Sequence, residues 1–133
     1  MALGVNGKNC TDTNKIFLFS EIKIYEIMKL TGVWHIYEME MWDESYFNME
    51  VQAYIEVDEK GFGEFQFGLV TGQIDYERIK DEDNARLDFT WEGSDECDPA
   101  SGSGWVKLKD ENTLEGKIKL HGGDSSMFLA RRV

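Results

Sequence analysis

Phe62-Gly63-Glu64-Phe65-Gln66-Phe67-Gly68-Leu69-Val70, continued through Thr71-Gly72 into Gln73-Ile74-Asp75-Tyr76-Glu77-Arg78-Ile79-Lys80, is the stretch that decides the fold. Apolar and polar residues alternate along it, which is the period of a half-buried strand and not of a helix. Phe65, Phe67 and Leu69 fall on one face, and Ile74 and Tyr76 face inward from the next segment. Gly72 is the expected reversal between the two, because glycine accepts the backbone angles of a tight turn.

The same period runs outward in both directions. Upstream lie Thr31–Trp42 and Glu50–Val57, the latter with Val51, Ala53, Ile55 and Val57 on one face. Downstream lie Ala85–Trp91, Trp105–Lys109, Leu114–His121 and Ser126–Arg132. Clusters such as Asp58-Glu59-Lys60-Gly61, Asp81-Glu82-Asp83-Asn84, Asp110-Glu111-Asn112-Thr113 and Gly122-Gly123-Asp124-Ser125 carry turn chemistry between them. Short strands joined by such turns predict an all-β chain, an antiparallel up-and-down barrel of about eight strands. Closure buries every apolar face and leaves no edge; a sandwich or curled sheet is the alternative. One connection, Glu92–Gly104, reads as a long loop.

Composition fits this picture. At 133 residues the chain suits one domain, and eight Phe, five Tyr and four Trp provide a substantial core. The net charge of −12 argues against nucleic acid and anionic membrane surfaces, which need clustered Lys and Arg. No zinc-type cysteine spacing occurs, the two cysteines Cys10 and Cys97 lie far apart, and no cofactor motif is present. The apolar run Ile16–Phe19 is too short for a signal-peptide core, so a cytoplasmic protein is expected. Residues 1–27 balance three acids with three lysines, and the whole −12 falls in 28–133. Their polar start reads as disordered, and residues 16–27 as a helix or an extra strand. Met28-Lys29-Leu30-Thr31-Gly32-Val33-Trp34 looks like a natural beginning, which would make 1–27 an upstream extension and 28–133 the barrel domain.

Gly32-Val33-Trp34 at the first strand, with Arg131-Arg132 on the last, resembles the calycin superfamily that includes the lipocalins. The resemblance implies that a basic residue of the last strand packs over the tryptophan and closes the barrel floor. It also implies a small ligand inside the barrel. The segment from Trp91 to Trp105, with Trp34, Trp42-Asp43 and Gly122-Gly123-Asp124-Ser125, is similar to small uncharacterised bacterial proteins. That second resemblance implies a boundary near residue 28 and no activity.

The leading functional expectation is non-catalytic binding of a small apolar or amphipathic molecule. Trp34, Phe65, Phe67, Tyr76, Phe89 and Trp91 would line the interior, and Asp95, Glu96 and Asp98 would form the rim. Those carboxylates would alternatively hold a hard cation or act as an acid/base group, although no EF-hand pattern is present. The bulk of the inward rings argues that they fill the barrel themselves. The alternative is then an interaction module acting through a homodimer face, for which Tyr37, Met39 and Met41 are candidates. Enzymatic activity is not favoured: no nucleophile stands at motif spacing, although His35 and His121 would meet if the first and last strands bring them together. Lys107, Lys109, Lys117 and Lys119 share one outward face and read as cross-strand partners of outward acids or as a docking strip for an acidic partner.

Overall fold

The computed structural model describes residues 27–81 and 84–133. The elements are β1 (Gly32–Met39), α1 (Glu44–Phe47), β2 (Tyr54–Val57), β3 (Phe62–Phe67), β4 (Val70–Asp81), β5 (Asn84–Asp95), β6 (Asp98–Asp110), β7 (Thr113–Leu120) and β8 (Ser125–Arg132). Each strand pairs antiparallel with its sequence neighbours, and β8 returns to β1 to close an eight-stranded barrel. The expected all-β closed barrel is therefore the observed fold. The readings of residues 1–26, including the start at Met28, fall outside the described residues.

Alternation sorts the side chains. Trp34 and Ile36, then Ile55 and Val57, Phe65 and Phe67, Ile74, Leu87 and Phe89 point inward and are buried. A bulge between Ile36 and Glu38 shifts the phase of β1, so that Met39 rather than Glu38 continues the inner row. Met39 is consequently buried and does not join Met41 on the surface, contrary to the patch read from the sequence. Tyr37 is covered by the Arg131 guanidinium, 3.9 Å from its ring centre.

Four inner aromatics stand directly opposite glycines of the next strand: Phe65 opposite Gly72, Phe89 opposite Gly104, Trp91 opposite Gly102 and Phe128 opposite Gly116. Each ring lies over the space a side chain would take, an arrangement that fixes register and lets strands coil tightly. This overturns the turn expected at Gly72, which sits inside β4. The reversal is at Gly68, whose φ of 56° supplies the left-handed residue, and Leu69 leaves the Phe65–Phe67 row.

The expected Glu92–Gly104 loop is strand as well. β5 and β6 pair from Arg86–Lys107 to Asp95–Asp98, and Glu96 and Cys97 form a two-residue turn with φ of 53° and 74°. Gly, Ser, Asp and Pro have low strand propensity, so residue type alone misreads this hairpin. Its tip projects beyond β7. Ser101 carbonyl accepts from His121 N–H at 2.8 Å, so Pro99, two residues on, faces the same side with no N–H to offer. The first two strands are also shorter than read: β2 starts at Tyr54, and Val51 is exposed.

Both ends are closed. At the floor, Arg132 Cζ lies 4.1 Å from the centre of the Trp34 ring and its guanidinium donates to Lys29 carbonyl at 2.6 Å. Trp34 Nε1 donates to Leu30 carbonyl at 3.0 Å. This contact is consistent with the calycin resemblance. At the other end, the Trp42 ring sits 4.9 Å from that of Phe67, beside Tyr46 and buried Phe47 of α1. Asp43 caps α1, its carboxylate accepting from Tyr46 N–H.

On the outer face, Tyr54 Oη donates to Glu64 Oε2 at 2.5 Å. That bond, with partial burial, keeps the proton on the phenol and pushes Tyr54 up to about 12. The unfolded phenol titrates near 10. The folded value is the higher, so the stabilisation is complete below pH 10 and is lost as pH rises towards 12. The urea midpoint of the protein is expected to drop across this window, and that of Tyr54→Phe to drop less. Equal drops would remove the Glu64 pair as the cause.

Candidate functional site

Among the described residues the interior is tightly filled. Trp34, Ile36, Ile55, Phe67, Leu87, Leu114 and Ile118 each have 0% exposure. A side chain that water cannot touch has no water-sized void beside it. Phe65 packs edge-on to Trp91 at 5.1 Å and stacks on Phe67 at 5.9 Å. Phe89 and Trp91 are 4% and 2% exposed, and Trp91 Nε1 donates to Lys119 carbonyl. Five of the six residues expected to line a cavity are thus packed into the core. The sixth, Tyr76, is half-buried at the lower mouth, where its hydroxyl donates to Asp58 carbonyl at 2.6 Å. Burial raises its pKa.

The acidic trio is placed at the opposite end, on the β5–β6 tip. Asp95 and Asp98 face each other across the turn, and Glu96 N–H bonds Leu69 carbonyl at 3.1 Å. They rim the barrel end but do not converge: among the described residues no group of three His, Cys, Asp or Glu side chains is arranged to hold a metal. The histidines do not meet. His35 pairs with Arg131 near the end of β8, whereas His121 precedes the start of β8. Six residues of strand, about 20 Å, separate those levels.

A cleft of about 960 Å³ lies on the outside, along β5, β6 and the end of β7. Register builds it. Thr90 pairs with Ser103, which pairs with Lys119; Glu92 pairs with Ser101, which is hydrogen-bonded to His121 through the backbone. All six are exposed, and alternation sets them on one face. The neighbouring positions Gly93, Ala100 and Gly102 carry little or no side chain on the other face, so the cleft floor is largely backbone. The surface therefore presents hydroxyls, a carboxylate, an ammonium and an imidazole side by side. Sequence reading noticed Lys119 and His121 separately but missed their convergence with Ser101 and Ser103, because the hairpin was read as a loop.

Ser101 stands between Glu92 and His121 in this row, and its carbonyl accepts from His121 N–H. Shifted carboxylates lie elsewhere: the Ser45 hydroxyl lowers Asp43, and the Asn112 N–H lowers Asp110, each in a cap or turn. Asp88, by contrast, is held by Arg86 Nε at 2.6 Å beside Trp105. Among the described residues no helix is long and apolar enough to cross a membrane. No family model, no curated protein and no solved structure matches the chain.

Proposed function

We propose that the protein is a non-catalytic binding module that uses a filled barrel as a rigid support and meets its ligand on the outer cleft of β5–β7. The observation that supports this is the contrast between a tightly packed interior and an exterior cleft of about 960 Å³ lined by hydrogen-bonding side chains. The cleft volume falls within the range of small-ligand pockets, but its lining is polar, so its ligand is a polar small molecule or a short polar segment and not the apolar guest of an open barrel. The interior site formed by Trp34, Phe65, Phe67, Phe89 and Trp91 has no corresponding space in its favour. Rigid strands make good supports for such a site, because a ladder holds each side chain in place.

Amide chemical-shift mapping with a panel of sugars, amino acids and nucleotides tests the reading. Shifts are expected to cluster on Thr90, Ser101, Ser103, Lys119 and His121, and Ser101→Trp is expected to remove them. Shifts centred on Phe65, Phe67 and Phe89 would restore the interior site and overturn the proposal.

A further inference from the structure

The acidic surface is not uniform. Register lines up the outer positions of four consecutive strands, β6, β7, β8 and β1. One row runs Trp105, Lys117, Met127 and Glu40; the next runs Lys107, Glu115, Leu129 and Glu38. The β6 side is aromatic and carries Lys107 and Lys117, with Arg86 held by Asp88 and Lys107 opposite Glu115. Arg86 and Lys107 lie 4.9 Å and 5.7 Å from the centre of the Trp105 ring, which is only half-buried. The β1 side is anionic, with Glu38 and Glu40 both exposed. Between them lies an apolar seam: Met127 is 38% exposed and Leu129 is half-buried. A shallow depression of about 220 Å³ opens there, bordered by Glu38, Glu40 and Glu115 and floored by Met127, Phe128 and Leu129.

We propose that this face is a homodimer interface in which the cationic half of one copy covers the anionic half of the other. A two-fold axis parallel to the strands and lying between β7 and β8 exchanges β6 with β1, so Lys107 of each copy faces Glu38 of its partner and Trp105 faces Glu40. The arrangement is self-complementary, as a two-fold interface requires. A partner carrying one sign of charge would satisfy one half of the face and be repelled by the other. A second copy of this chain satisfies both halves and covers the apolar seam. The barrel surface is convex, so the seam touches first and the long Lys and Glu side chains close over it. This interface stands apart from the cleft reading and does not depend on it.

Sedimentation velocity on the full chain tests the interface. At low salt the mass is expected at twice 15.3 kDa, with the dissociation constant rising at least about tenfold between 0.05 and 0.5 M NaCl. Glu38→Lys/Glu40→Lys and Lys107→Glu/Lys117→Glu are each expected to be monomeric, since like charges then face each other. An equimolar mixture of the two variants is expected to recover the dimer. A monomeric wild type at 100 µM, a dimer insensitive to salt, or variants that dimerise alone as well as mixed would each overturn the proposal. The wild-type salt titration stands even if a variant fails to fold.

Discussion

Gly104→Ala is expected to cost at least about 3 kcal/mol, and Gly104→Val to leave little folded barrel. A β-carbon at Gly104 would collide with the Lys117 backbone carbonyl and come within 2.5 Å of Phe89 Cζ. A ring can turn aside, but the carbonyl belongs to the β6–β7 ladder and cannot move without losing strand pairing. Domains of this size have only about 5–15 kcal/mol in hand, so an error at this point consumes much of the margin. Urea titration followed by far-ultraviolet circular dichroism gives the loss directly. Shortening the ring, as in Phe89→Leu/Gly104→Ala, is expected to restore almost none of it. A full recovery would mean that the ring, not the carbonyl, sets the limit.

Phe65→Ala is the second large effect, expected at about 3–5 kcal/mol through the void it leaves beside Trp91 and Phe67. Its opposite residue behaves differently from Gly104. The nearest atoms to a β-carbon at Gly72 are all side-chain atoms: Phe65 Cε2 at 2.5 Å, Phe65 Cζ at 2.6 Å and Trp91 Cε3 at 2.9 Å. Gly72→Ala alone is therefore expected to destabilise by about 1–3 kcal/mol through crowding. In the Phe65→Ala background the same alanine enters vacated space, and the two losses are expected to fall short of their sum by at least about 1 kcal/mol. Thermal and urea melts of the four proteins of the cycle measure this coupling. Strict additivity would refute the view that Gly72 is small because Phe65 covers it.

These two glycines also mark what was legible in the sequence. Alternation in Phe62–Phe67 and Ala85–Trp91 is a local property, and it located strands, inner faces and a closed antiparallel barrel. The role of Gly72 and Gly104 is not local. A glycine in a strand looks like a turn until the ring on the neighbouring strand is known, which is how Gly72 acquired a false reversal and Glu92–Gly104 a false loop. The phase change after Ile36 was legible only as one option: both faces of the first strand carry apolar residues, so a bulge there and an exposed Met39 were both open readings until the β1–β8 register was known. The Trp34–Arg132 floor contact was anticipated through resemblance, since the residues stand at opposite ends of the barrel sequence. The cleft was not anticipated at all, because Glu92, Ser101 and His121 meet only through the β5–β6–β7 register. The lysine alternation did place Lys107 and Lys117 outward, but the acidic counterpart at Glu38 and Glu40 required the closure of β8 onto β1.

That closure has a kinetic consequence. Arg132 donates to Thr31 and Lys29 carbonyls across 101 and 103 residues of chain, while each other pairing in the ring joins sequence neighbours. Hairpins such as β4–β5 and β5–β6 can form as soon as their turns do, but the β1–β8 seam must wait for the two most distant strands to find each other. Loop-closure entropy and high contact order make this the slow step, on the millisecond-to-second scale of β-rich domains. Until it is complete, β1 and β8 each carry an open row of backbone donors and acceptors, so the nascent molecule is most prone to aggregate during the interval that Trp34 spends without Arg132.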